Sequence, residues 1–378
     1  MANLFRAAAS AAVGIPAFST ALAHSSGGQT ERRGGMMQFT QPFQRNFRVP
    51  SMSVALSKNG RFVFDHAGGM AEREHMTQAQ QSSLFRIADL SKPITAVTIF
   101  SLVEAGKLNA SDRVFGSAGV LGTKYGKAPY ATYLTDITVD NLLGHTAGGW
   151  AADQNDPMFQ HNGWDQAKLI TETIANAPLT HQPGTQWEYS NFGYCVLGRV
   201  IEQVTGQPYE AYVRTNILAA CGISTMQIAQ NSEKHRAPDE VVYTGQYSED
   251  PYKFNINRMD STLGWIASAT QLGQFLNHIA GAPGIPALLK PETIRIMTAP
   301  VEASPPGEAR YARGWMVAND GAGGWWHSGS LPGSTALMIR NPDGSCSAAV
   351  CSTRSQPHQE MDKAMFEMLV NMERQRDL

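Results

Sequence analysis

The stretch Phe85-Arg86-Ile87-Ala88-Asp89-Leu90-Ser91-Lys92-Pro93-Ile94-Thr95 decides the reading of this chain. It places a carboxylate at 89 and an ammonium at 92, at the head of an apolar run with no charged residue from Pro93 to Val103. The run predicts a helix from Asp89 to about Ala105. A helix that is apolar nearly all round belongs in the centre of a fold. Pro93 is tolerated because first-turn amides have no intrahelical partner to lose. Residues i and i+3 share a helix face, so Asp89 and Lys92 meet at the helix N-terminus, where negative charge is favoured. Ser91 is adjacent to Lys92 and points about 100° around the helix from it.

Upstream, Met52–Leu56 and Arg61–Phe64 flank Lys58-Asn59-Gly60 and read as a β-hairpin, because Asn-Gly supplies the positive dihedrals of a tight turn. Downstream, Thr335–Arg340 and Ser345–Ser352 flank Asn341-Pro342-Asp343-Gly344 and read as a second hairpin. Helices are expected at Gly193–Val204, Tyr209–Ala220 with Gly222 as its cap, Ala269–Ala280, Pro291–Met297 and 357–374. The fold class expected is α/β (α+β): a mostly antiparallel sheet built from both chain ends, flanked by helices, with an inserted all-helical subdomain. The sheet part covers about 43–88 and 300–378, the helical part about 107–260.

The chain has 378 residues, 42% of them apolar and 16% charged, enough for a large core. A net charge of −2 without a basic block excludes nucleic acid as an expected partner. No apolar run reaches the length of a membrane-spanning helix. Residues 1–23 have the shape of a secretory signal, with Arg6, an Ala-rich stretch and a small-x-small end at Ala21-Leu22-Ala23. Its removal would make the protein periplasmic or secreted; otherwise it is cytoplasmic. Residues 24–42 read as a flexible lead-in. Cys195, Cys221, Cys346 and Cys351 lack metal-ligand spacing and read as buried thiols, so neither metal nor cofactor is expected. Cys346 and Cys351 lie an odd number apart on one strand, which puts them on opposite faces.

Two further motifs accompany Asp89-Leu90-Ser91-Lys92: Tyr189-Ser190-Asn191 and His327-Ser328-Gly329. The longer segments around them are Leu142-Leu143-Gly144-His145-Thr146-Ala147-Gly148, Pro183-Gly184-Thr185-Gln186-Trp187-Glu188-Tyr189-Ser190-Asn191-Phe192-Gly193-Tyr194 and Trp326-His327-Ser328-Gly329-Ser330-Leu331-Pro332-Gly333. Together, over roughly residues 45–370, they resemble the serine β-lactamase and penicillin-binding-protein superfamily. The nearest branch is that of class C β-lactamases, DD-peptidases and family VIII carboxylesterases. That branch carries Ser-x-x-Lys, Tyr-x-Asn and either Lys-Thr-Gly or His-x-Gly.

The resemblance implies an acyl-transfer site for a small ester, amide or lactam-like ligand. It implies Lys92 and Tyr189 as the groups that draw the proton from an attacking hydroxyl. The N–H groups of positions 89 and 330 become the oxyanion donors. Asn191 becomes the group binding the substrate flank, and His327 stands in for the third-motif lysine. Ser328, Gly329 and Ser330 line the site. Of the tryptophans, Trp150 and Trp326 are expected beside it. His145 is expected to be structural, and 231–252 to be a solvated loop.

The departure is Asp89, which falls where the branch has its serine. A carboxylate there should pair with Lys92, keep it protonated and compete with substrate for the oxyanion donors. Three readings follow. The nucleophile was replaced deliberately, or the chain binds ligands without acyl-enzyme chemistry, or Asp89 itself serves as base, acid or nucleophile in another reaction such as a cyclisation, isomerisation or elimination. The oligomeric state stays open.

Overall fold

The computed structural model describes residues 29–246, 249–355 and 357–376. Residues 1–23, read as a signal, lie outside them. The strands are β1 (Ser51–Lys58), β2 (Arg61–Glu72), β3 (Thr77–Gln78), β4 (Phe85–Arg86), β5 (Gln227–Ile228), β6 (Trp265–Ala267), β7 (Ala309–Tyr311), β8 (Met316–Ala318), β9 (Trp325–Leu331), β10 (Ser334–Arg340) and β11 (Cys346–Cys351). The α-helices are α1 (Gln29–Asn46), α2 (Ser91–Glu104), α3 (Val139–Leu143), α4 (Gln166–Asn176), α5 (Asn191–Thr205), α6 (Tyr209–Val213), α7 (Ala269–Ile279), α8 (Pro291–Met297) and α9 (His358–Arg376).

Both hairpins form where their turn residues put them. Asn59 and Gly60 have φ of 51° and 75°, the pair of positive values a tight hairpin needs. The main sheet runs β3-β2-β1-β11-β10-β9-β8-β7. Its chain ends meet at its centre, where Met52 lies opposite Cys351 in an antiparallel pair. A small sheet, β4-β6-β5, ties the segment before α2 to the inserted region.

Alternation along the central strands feeds two cores, one on each face. Val54, Leu56, Leu337, Ile339 and Cys351 pack against Met361, Met365 and Leu369 of α9. Ala55, Met338, Cys346 and Val350 face the cluster that holds Ile94 and Ile99 of α2 and Phe275 and Leu276 of α7. All four cysteines are free and buried, and Cys346 and Cys351 sit in different cores, as their spacing requires.

Three local readings need correction. The stretch 24–42, expected to be a flexible lead-in, is helical from Gln29 on. Its polar composition hid the i, i+4, i+7 stripe Met36–Thr40–Phe43, each 6% exposed or less, which α1 lays against α9. The helix read over Tyr209–Ala220 is α only to Val213; a wider turn (Arg214–Leu218) and a tighter one (Ala219–Cys221) follow before Gly222 at φ 72°. The stretch 231–252 is not simply a solvated loop. Glu240, Val241 and Tyr243 are buried. Buried Arg86 anchors this region, donating to the carbonyls of Gln230 (3.1 Å) and Pro251 (2.5 Å) and stacking over Tyr243 at 4.5 Å.

Candidate active site

Asp89 lies in a tight turn, Ala88–Leu90, that feeds α2. Ala88 has φ 48°, a strained value for a residue with a side chain. β9 runs directly alongside this turn. A Cβ on Gly329 would lie 2.5 Å from the Ile87 carbonyl oxygen and 2.8 Å from the Asp89 nitrogen, so only glycine permits the approach. Gly329→Ala is therefore expected to cost on the order of 1–3 kcal/mol by overpacking, read as a lower denaturant midpoint. A variant as stable as the parent would show that the strand can simply move away.

The Asp89 carboxylate gathers the site's donors. Its Oδ1 accepts from Lys92 Nζ at 2.6 Å and from the Tyr189 hydroxyl at 2.9 Å. Its Oδ2 lies 3.4 Å from the backbone N–H of Ser330, a weak contact. The oxyanion donor expected at 330 thus faces a resident anion. Lys92 is fully buried, while the Asp89 side chain retains 17% exposure. Burial would raise the Asp89 carboxyl, but the charge of Lys92, with hydrogen bonds from Lys92 and Tyr189, holds it below the usual carboxylate range. Burial also drives the Lys92 ammonium down, and the Asp89 carboxylate opposes it. The pair is an ionised one in which each charge sustains the other.

Behind it runs a buried relay. Lys92 Nζ also donates to Asn191 Oδ1 (2.7 Å), and Asn191 Nδ2 donates to Asp156 Oδ2 (2.7 Å). Ser190 caps α5 through Gly193 N–H, which sets Asn191 at the helix start. Burial pushes the carboxyl of Asp156 up to about 6. Asn191 thus holds Lys92 through Oδ1 and reaches Asp156 through one N–H of Nδ2. It was expected beside the substrate and is not among the residues that line the cleft.

His145, at φ 59°, accepts the N–H of Ser190 on Nδ1 (3.1 Å), and its ring lies 4.1 Å from that of Tyr189. It supports the tyrosine, as a structural histidine should. Ser91 Oγ accepts the N–H of Trp265 and is out of the chemistry.

In front lies a cleft of about 60 Å³ lined by Asp89, Tyr189, Tyr311, Met316, His327, Ser328, Gly329, Ser330, His358 and Asp362. Burial pushes His327 down to about 4, so its ring is neutral at neutral pH. Nδ1–H of that ring donates to the Ser328 carbonyl (2.6 Å), which leaves Nε2 as an acceptor 3.4 Å from the Tyr311 hydroxyl.

Asp89, Tyr189, His327, Ser328, Gly329 and Ser330 therefore meet as the sequence predicts, with Lys92 directly behind. The two tryptophans do not. Trp326 alternates with His327 along β9, so it points through the sheet onto Phe366 of α9 at 5.6 Å. Trp150 packs edge-on against Phe192 and donates to the Ala177 carbonyl, inside the core. Tyr311, Met316, His358 and Asp362 were missed. His358 and Asp362 follow i, i+4 spacing on α9, which marks one helix face but not what that face meets.

Asp362 makes a further prediction. Burial, then the charge of Asp89, push its carboxyl up to about 7, against the pull of Arg354. A group raised in the fold contributes stability that is complete below its unfolded value, near 4, and is lost as pH rises through about 7. Denaturation of the parent should thus become easier between about pH 5 and pH 8, and Asp362→Asn should flatten that slope. Identical slopes in the two proteins would contradict the assignment.

These features define a hydrolase-type enzyme scaffold. Residues 36–370 match the family model described as Beta-lactamase. The chain belongs to that family. It is 26% identical over 330 residues to a penicillin-binding protein of Bacillus subtilis (strain 168), covering 77% of this chain and 65% of that protein. It is 25% identical over 296 residues to Protein flp of Staphylococcus aureus (strain MRSA252), covering 78% of this chain and 57% of that protein. The chain thus spans less than two thirds of the length of these relatives.

Two solved structures share the fold. The octameric penicillin-binding protein homologue from Pyrococcus abyssi superposes with a TM-score of 0.71 at 22% identity, over 89% of this chain and 77% of that one. D-amino acid amidase from Ochrobactrum anthropi SV3 gives 0.70 at 19% identity, over 90% and 99%. Among the described residues, no helix is long and apolar enough to cross a membrane.

Proposed function

We propose that this chain carries a site built for hydrolysis or acyl transfer at the ester or amide carbonyl of a small molecule, with Asp89 standing in the attacking position. One observation carries the reading: Lys92 Nζ and the Tyr189 hydroxyl converge on a single side-chain oxygen at position 89, at 2.6 and 2.9 Å. With a hydroxyl at that position, an uncharged Lys92 so placed would take its proton and the Tyr189 hydroxyl would orient the attacking oxygen. The Ser330 N–H beside it suits an oxyanion. Neutral His327 gives no fixed positive charge for a substrate carboxylate, which favours esters and amides over carboxylate-bearing lactams.

With Asp89 in place, Lys92 is held protonated and is no base. A panel of p-nitrophenyl esters, nitrocefin and D-amino acid amides tests the reading on the parent and on Asp89→Ser. The amides join the panel because a fold neighbour is a D-amino acid amidase. A folded Asp89→Ser variant inert on every member would remove the main support.

A second reading is favoured by the geometry of Oδ2. Among the described residues its one hydrogen-bond contact is the 3.4 Å approach of the Ser330 N–H, and the side chain is partly open to the cleft. An ionised oxygen so placed suits a general base in a non-hydrolytic reaction. On that reading Asp89→Asn abolishes an activity of the parent that Asp89→Ser does not restore.

A further inference from the structure

Asp362, on α9, and Ser330, on β9, both line the cleft, and each carries an unanswered polar atom. Asp362 Oδ1 and Ser330 Oγ are both buried from solvent and have no hydrogen-bond partner among the described residues. Both residues line the cleft that holds Asp89. Buried polar atoms left unpaired are uncommon, and each is an opening for a ligand group. Among the described residues no lysine or arginine lines this cleft. Lys92, behind it, is already neutralised by Asp89. The ring of His327 is neutral, with Nε2 as an acceptor. The walls therefore offer acceptors and negative charge.

We propose that Asp362, with Ser330 Oγ, recognises a protonated amine on the ligand, so that the site selects small cationic esters or amides. An ammonium brings three N–H donors and no acceptor. It could satisfy Asp362 Oδ1 and Ser330 Oγ together, with Asp362 supplying a negative charge that, unlike that of Asp89, is not already paired with Lys92. A carboxylate in the same place would meet like charge from Asp362. The selection should fade as pH falls through the range in which Asp362 takes up a proton. The charged and titratable groups around Asp362 are Asp89 from the turn before α2, Arg354 from the segment after β11, Cys351 of β11, His358 from its own helix and, lining the same cleft, Tyr189, Tyr311 and His327. Among these, Asp89 favours protonation of Asp362 and Arg354 opposes it.

This inference rests on the proposed acyl-transfer reading for its kinetic arm alone. In that arm, Asp89→Ser is given matched p-nitrophenyl esters of an ω-amino acid and of the corresponding straight-chain acid. The amino ester is expected to be preferred by about tenfold in kcat/KM or more, carried in KM. Adding Asp362→Asn should bring the ratio close to one. Turnover of both esters without preference, or a preference that survives Asp362→Asn, overturns the proposal while leaving the acyl-transfer reading intact.

The second arm needs no turnover. The native protein is titrated with benzylamine and with benzyl alcohol, followed by ligand-observed NMR. Benzylamine should bind more tightly, and Asp362→Asn should weaken it about tenfold. Equal binding of the two probes, or an unchanged benzylamine affinity in Asp362→Asn, overturns the proposal even if every ester proves inert.

Discussion

Asp89→Ser is expected to raise hydrolysis of small p-nitrophenyl esters by at least about 100-fold over the parent, the scale that a positioned proton acceptor supplies. The reason lies in what the substitution releases. Lys92 loses the carboxylate that keeps it charged, and burial then drives its ammonium further down. The Ser330 N–H is freed for a substrate oxygen. The new hydroxyl inherits the two contacts now made at 2.6 and 2.9 Å. Serine attack would form an ester to the acyl group, break its bond to p-nitrophenolate, and pass the hydroxyl proton to Lys92, while burial keeps the Tyr189 hydroxyl protonated as a hydrogen-bond donor. Water would then cleave the ester. A burst of p-nitrophenol equal to the enzyme concentration should mark the first half. Asp89→Ala is the control, because it releases the same groups without supplying a nucleophile. An equal gain in Asp89→Ala would refute the nucleophile's role.

Lys92→Met should be strongly destabilising, by about 2–4 kcal/mol, because it leaves the Asp89 carboxylate, only 17% exposed, without its counter-ion. Asn191 Oδ1 would lose its donor at the same time. The loss has a defined pH signature. Asp89 is held low in the fold, so its contribution exists above the unfolded carboxylate value near 4 and disappears as pH falls through the folded one. In Lys92→Met that depression is gone. The deficit against the parent should be full at neutral pH and shrink in acid. The double variant Asp89→Asn with Lys92→Met should recover much of the loss, since no charge is then left unpaired. A double variant as unstable as the sum of the singles would show that the two residues do not act as a pair.

The substrate-facing half of the site was legible in the chain wherever spacing is local. The positions of Asp89 and Lys92, three apart, decided that they would meet. Asn59-Gly60 decided the first hairpin, and the uncharged run after Lys92 decided that α2 would be buried. Short motifs carried Tyr189 and His327 to the same cleft because the fold they belong to is shared. The misreadings concern side chains whose partners come from elsewhere. Asn191 was expected at the cleft wall, and nothing near it in sequence announces Lys92 and Asp156 as its partners. Trp326 was taken for a wall of the cleft, although alternation with His327 should have sent it to the other face.

Sequence by itself determined the chemistry available at position 89, a carboxylate beside an ammonium, because covalent identity and helical spacing need no tertiary contact. Only the folded chain decided that the ammonium is fully buried, that Asn191 holds it, and that α9 brings Asp362 to the cleft. Burial and long-range approach set the charge state of each group, and both are properties of the packed whole: desolvation depends on every neighbour that excludes water, whichever part of the chain supplies it.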